Sequence, residues 1–204
     1  ALDSFDGVIN GKYRTVFLTE DIDHKYIKQI LKNTVSNYSE ILIMSYKSCS
    51  LIDTAIQVAD FIKKCAPNCK VIIHRDKDFM TPDELLVYQK KVESSGHIIW
   101  FTDGVDIESY FTSTKHLSYL LKKSEDEINS IIEAILIKNH VEIQHKFESK
   151  RKDVESIMYK DNLLKSENKI KKPDFIKLFG TSCPTRRENI LGKYLLSKIN
   201  EFLS

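Results

Sequence analysis

The sequence is poor in the features that most often declare a function outright. Glycine is scarce, six in 204 residues. Nothing matches G-x-x-x-x-G-K-[ST], since "NGKYRT" and "LGKYLL" both lack the leading glycine, so ATP is not expected to bind this fragment by that device. The four cysteines, Cys49, Cys65, Cys69 and Cys183, have no framework spacing. Cys65 and Cys69 flank "APN", but no second Cys or His pair completes a zinc site, and reduced thiols in a cytosolic protein are the plain reading. No apolar run approaches the ~20 residues of a membrane span. The opening "ALDSFDGVINGKYRT" lacks a basic region followed by an apolar one, which argues against a secretory signal. Without an initiator methionine, an excised fragment or processed chain is expected. Charge of one sign is also missing: the formal balance is +2, too small to imply nucleic-acid binding by itself. Any basic footprint must be local.

What is present is an ordinary globular composition, 42% hydrophobic and 29% charged. "TVFLT", "EILIMS", "KVIIH" and "HIIWFT" read as strands. Between them lie helical patterns: "EDIDHKYIKQILKN", then "LIDTAIQVADFIKKCA" with Ile52, Ala55, Ile56, Ala59 and Ile62 on one face, then a helix opening at Thr81-Pro82-Asp83-Glu84. Strands alternating with helices predict an α/β fold with a small parallel sheet covered by helices. From about 113 to 170 only helical stretches follow, read as an insertion or lid whose charges form a solvated face. "NLLKSENKIKKPDFIK" reads as a Lys-rich loop and "RRENILGKYLLSKINEFL" as a last helix. The whole, 1–204, is expected to be one domain.

In an open parallel sheet, ligands gather at the carboxyl ends of the strands. Acids stand there: Glu20, Asp21 and Asp23 after the first strand, Asp76 and Asp78 after the third, and Asp103, Asp106 and Glu108 after the fourth. Asp76 and Asp78, two apart on an extended backbone, are expected to face the same way. Crowded carboxylates need protons or a cation at neutral pH, and their hard oxygens suit Mg²⁺ or Mn²⁺. Each group also has a plain alternative. Glu20 and Asp21 suit a helix N-terminus, a D-x-D pair suits a surface loop, and Glu108 suits the exposed first turn of a helix. His74 and Arg75 suit either phosphate or the neighbouring acids.

In "VFLTEDIDHKYIKQIL", "VIIHRDKDFMTPDEL", "FTDGVDIESYF" and "ENILGKYLLSKI" the chain resembles the Toprim domain, in particular the nuclease half of OLD-family (overcoming lysogenization defect) endonucleases. These stretches cover most of the chain outside the insertion. The resemblance implies a Toprim-like fold and metal-dependent DNA cleavage with two ions, Mg²⁺ or Mn²⁺. By position it implies Glu20, Asp76, Asp78, Asp106 and Glu108 as metal ligands, with Glu20 and Asp76 catalytic. Lys193 would lie near the scissile phosphate. The first motif departs from the family pattern: Asp21 replaces a glycine and His24 stands where an aspartate is usual, so either Asp21 or Asp23 supplies the next contact. The resemblance further implies DNA as partner and an upstream ABC-type ATPase in the parent chain, through which homo-oligomers could form. It also implies a cytoplasmic setting without membrane, and a role in anti-phage defence. Rival readings are another Toprim activity (topoisomerase, primase or RNA-maturation nuclease), a receiver module, and a silent nucleic-acid-binding module using Lys160–Lys177.

Overall fold

The computed structural model describes residues 2–46, 51–160 and 190–203. Strands β1 (Thr15–Thr19), β2 (Ile41–Ser45), β3 (Lys70–Arg75) and β4 (Ile98–Phe101) alternate with helices α2 (Lys25–Thr34), α3 (Ile52–Cys65) and α4 (Pro82–Ser94). Helix α1 (Leu2–Ile9) precedes them; α5 (Thr114–Leu121), α6 (Glu125–Lys138), α7 (His140–Lys160) and α8 (Gly192–Leu203) follow. Short 3₁₀ helices occupy Tyr38–Glu40 and Ile107–Thr112. The fold is therefore α/β, a small parallel sheet flanked by helices, with α5 to α7 as the helical insertion. The described residues separate into two compact units. One holds residues 2–46, 51–76, 83–101 and 157–160, the other 77–82, 102–156 and 190–203.

In the first unit every strand pairing is parallel, in the order β2-β1-β3-β4. The residues explain that order. Val16, Phe17 and Leu18 of β1 are all buried, as a central parallel strand with both faces covered requires. All five residues of β2 keep partial exposure, as an edge strand does. Helix α3 buries Ile52, Ala55, Ile56, Ala59 and Ile62, the face its spacing predicts, and lies against β3. From α4, Tyr88 and Val92 are fully buried. Burial of an aliphatic side chain stabilises by ~1.5–3 kcal/mol, so this inner face carries much of the unit's cohesion.

The second unit has its own core, Leu117, Ile128, Ile132, Ile135, Leu136 and Ile143 with Ile190, Tyr194, Leu195 and Ile199. Its α6 starts with a capping box: Ser124 Oγ accepts from Glu127 N at 3.2 Å while Glu127 Oε2 accepts from Ser124 N at 2.8 Å.

Two differences from the sequence reading stand out. Helix α1 has no counterpart in it. Helix α2 begins at Lys25 with His24 as N-cap, not directly after Glu20. The Lys-rich stretch, Cys49, Cys183 and the start of the expected last helix lie outside the described residues. Among the described residues, no helix is long and apolar enough to cross a membrane.

Candidate functional site

In the first unit, β1 and β3 run side by side with Thr19 opposite His74, so their carboxyl ends finish together. Glu20 and Asp76 lie just past those ends. The Asp76 N–H donates to Glu20 Oε1 at 2.8 Å, joining two residues 56 positions apart. Both side chains are partly buried. A carboxylate tied to the backbone that carries a second carboxylate is held in place before any ligand arrives.

His74 lies beneath this pair, fully buried, with the rings of Phe17 and Trp100 centred 5.7 and 4.8 Å away. Its Nδ1 lies 2.9 Å from Thr19 Oγ1, and its Nε2 lies 3.6 Å from Asp76 Oδ1. Burial pushes the imidazole down to about 3, so the ring is neutral. Thr19 has one hydroxyl proton, offered to His74 Nδ1 at 2.9 Å or to Asp21 Oδ2 at 3.4 Å. His74 is fully buried and does not reach solvent for phosphate. Arg75, 1% exposed, is equally enclosed, its guanidinium 4.5 Å over the Tyr88 ring.

The Tyr46 hydroxyl registers the charge of this edge. It donates to the His74 carbonyl at 3.2 Å, and its pKa is pushed well above the usual range by burial, then by the negative charge of Glu20. Arg75 offsets part of this, while Asp76 and Asp21 add to it. The Asp21 N–H donates to Thr19 Oγ1 at 3.1 Å, and the Asp21 side chain does not cap α2. Asp23 is exposed; it accepts from Lys25 N at 3.0 Å and pairs with the Lys25 ammonium at 3.3 Å.

Asp78 corrects the expectation that the two aspartates share one strand face. Strand β3 ends at Arg75, and Asp78 and Phe79 have φ of 48° and 62°. Two consecutive non-glycine residues in the left-handed region cost ~1–2 kcal/mol each. The second unit holds them there. Asp78 N donates to the Val105 carbonyl at 2.7 Å, Met80 N to the Lys77 carbonyl at 2.7 Å, and Lys77 N to Thr102 Oγ1 at 3.1 Å. The Asp78 carboxylate is buried and already holds a cation, the Lys150 ammonium at 3.0 Å.

Asp106 is committed to helix ends. Its Oδ1 accepts from Ser109 N at 3.1 Å, Ser109 Oγ at 2.6 Å and Gly192 N at 2.8 Å; its Oδ2 accepts from Lys193 N at 3.1 Å. It thereby caps both the 3₁₀ helix Ile107–Thr112 and the first turn of α8. A Cβ at Gly192 would collide with the Ser109 backbone and the Asp106 carboxylate, which explains the glycine in "LGKYLL". Lys193 contributes its backbone to this cap and leaves its side chain exposed. Glu108 lies half-buried in the first turn of the 3₁₀ helix.

The ligands expected from the sequence are all carboxylates, whose hard oxygens suit Mg²⁺ or Mn²⁺, but Asp78 is already paired with the Lys150 ammonium. Among the described residues, no group of three or more His, Cys, Asp or Glu is arranged to hold a metal ion. Sequence reasoning missed Lys150 and Arg151. Arg151 falls in the buried stripe of α7, between Phe147 and Val154, and a cation at an inner helical position was the available signal. Compared with known proteins, the chain matches no family model, no curated protein and no solved structure.

Proposed function

We propose that the chain is a divalent-metal-dependent DNA endonuclease of the Toprim kind, the nuclease half of an ATPase–nuclease. One observation carries this reading. Glu20 and Asp76, from neighbouring central strands and distant parts of the chain, are coupled by a 2.8 Å hydrogen bond at the carboxyl edge of the sheet. That edge is where open parallel sheets bind ligands.

In this reading Glu20 and Asp76 of the first unit would be metal ligands, and Asp78 and Glu108 of the second unit would be ligands by the resemblance alone. Asp106 would join them only by giving up some of its capping bonds. Mg²⁺ or Mn²⁺, if bound, would supply Lewis acidity and a more acidic water. The chain's own part is to fix a carboxylate in advance: the amide of Asp76 orients Glu20. Glu20 steers the proton of the attacking water, and the Lys193 ammonium stabilises charge that builds on the phosphate oxygens. An upstream ABC-type ATPase, DNA as partner, a cytoplasmic setting and a defence role belong to the same proposal.

The test is plasmid nicking with Mn²⁺ or Mg²⁺, with Asp76→Asn and Lys193→Ala as controls. Metal-dependent cleavage that leaves a free 5′ phosphate and no protein–DNA adduct is the expected result. Undiminished nicking by either variant removes that residue from the mechanism, and metal-independent nicking overturns the reading. A second reading, binding of nucleic acid without cleavage, is favoured by one observation: a lysine already neutralises Asp78. Metal-independent DNA binding with no cleavage in any metal would establish it.

A further inference from the structure

Two carboxylates are buried among the described residues of the second unit, Asp78 and Asp106, each 5% exposed. Both stand at positions that the resemblance assigns to metal, and both are already engaged. Phe147, Lys150 and Arg151 of α7 are spaced i, i+3 and i+4 and share a helical face. The Lys150 ammonium lies 3.0 Å from Asp78 Oδ1. Arg151 donates from Nη1 to the Phe79 carbonyl at 3.0 Å, and the Phe147 ring meets Phe79 edge to face with centroids 4.9 Å apart. One helix thus grips the left-handed turn at Asp78 and Phe79 by an ionic, a hydrogen-bonding and an apolar contact. Asp106 receives three donors on Oδ1 and a fourth on Oδ2, all within 3.1 Å. One of these, the amide of Gly192, is buried and has no water to fall back on.

We propose that Asp78 and Asp106 are structural anchors and not metal ligands: Asp78 ties α7 to the turn at Asp78 and Phe79, and Asp106 ties the 3₁₀ helix to α8. This goes beyond the metal-dependent reading and limits its ligand set; it stands whether or not the chain takes up metal elsewhere. The physical grounds are charge and capacity. A buried carboxylate needs a positive partner, and Asp78 has one in Lys150. Lys150 and Arg151, two cations on one helical face, repel a divalent ion brought to the same turn. Mg²⁺ and Mn²⁺ also gather about six hard oxygens, whereas the neighbours that α7 offers Asp78 are nitrogen cations and an aromatic ring. At Asp106 the three bonds to Oδ1 use up that oxygen, and an ion would have to break contacts that start two helices. Helix α7, read from the sequence as part of an insertion or lid, is therefore a strut of the second unit.

The test is urea unfolding of the 204-residue chain with and without millimolar Mn²⁺, for wild type, Asp78→Asn, Lys150→Met, the double variant and Asp106→Asn. Lys150→Gln, which keeps an N–H for Asp78, takes the place of Lys150→Met should that variant not fold. Without metal, Asp78→Asn, Lys150→Met and Asp106→Asn should each lower the folding equilibrium constant roughly tenfold. The Asp78→Asn/Lys150→Met pair should lose less than the product of the two single losses, because neither group is left facing an absent partner. An ion that binds the folded state stabilises it by mass action, so a ligand variant loses the gain that Mn²⁺ gives wild type. Asp78→Asn and Asp106→Asn should both keep that gain in full. Its loss in either one overturns this inference and leaves the metal-dependent reading intact. Strictly multiplicative losses at positions 78 and 150 overturn the ion-pair anchor. A wild type whose stability ignores Mn²⁺ overturns the metal-dependent reading, and the unfolding cycle without metal then decides the anchors by itself.

Discussion

Asp106 offers a quantitative test of how the "DIESYF" and "LGKYLL" segments are joined. Replacement by alanine removes the acceptor of the Ser109 and Gly192 amides, the Ser109 hydroxyl and the Lys193 amide together. Loss of a cap costs ~1 kcal/mol at each of two helix starts. Gly192 is buried, so its amide is left without water, a further ~1–3 kcal/mol. The sum is ~3–5 kcal/mol for Asp106→Ala. Asparagine behaves differently. Its carbonyl can replace Oδ1 and keep three of the bonds, while its NH₂ faces the Lys193 amide, so Asp106→Asn should cost only ~1–1.5 kcal/mol. Amide hydrogen exchange reads this locally. Gly192 should exchange more than ~100-fold faster in the alanine variant and about tenfold faster in the asparagine variant, at ~1.4 kcal/mol per decade. Equal acceleration by the two variants, or less than about fivefold in alanine, would refute the capping assignment.

Other outcomes follow from the same contacts. Glu20→Gln retains an oxygen for the Asp76 amide, so stability should change by less than ~1 kcal/mol in urea unfolding while metal-dependent cleavage is lost. Lys193→Ala removes an exposed side chain and spares the backbone bond to Asp106. Cleavage should fall ~100-fold or more with the melting temperature unchanged, as checked by calorimetry and plasmid nicking. His74 takes up a proton near 6.5 in the unfolded chain but only near 3 in the folded one, so the unfolded state binds more protons between those values. Stability therefore falls as pH drops through that window, by ~2 kcal/mol between pH 7 and 5 from this residue alone. Comparison of wild type with His74→Gln in urea at both pH values should show that much of the slope disappear.

The sheet was readable because its strands are continuous β-branched and aromatic runs bounded by Asn, Pro and Gly. The inner face of α3 was readable because five apolar residues recur at one period. Helix α1 was not, since "LDSFDGVI" is short and interrupted by acids and a glycine. The placement of Glu20 and Asp76 followed from strand alternation alone. The turn at Asp78 did not, because neither aspartate nor phenylalanine announces a left-handed backbone; distant contacts from α7 impose it. The cap at Asp106 joins residues 86 apart, and no local pattern encodes such a bond. His74 suited either phosphate or the neighbouring acids in the sequence, and its complete burial excludes the first.

Placing the first strand in the interior of the sheet has a consequence for biosynthesis. As the chain leaves the ribosome, β1 finds β2 early, but its other flank stays bare until the segment ending at Arg75 has emerged. Any product truncated before that point would carry an open row of amides and carbonyls beside a greasy surface, the kind of edge that recruits a second copy. Expression trials that trim this protein should keep everything through Phe101, where the last strand of the sheet is complete.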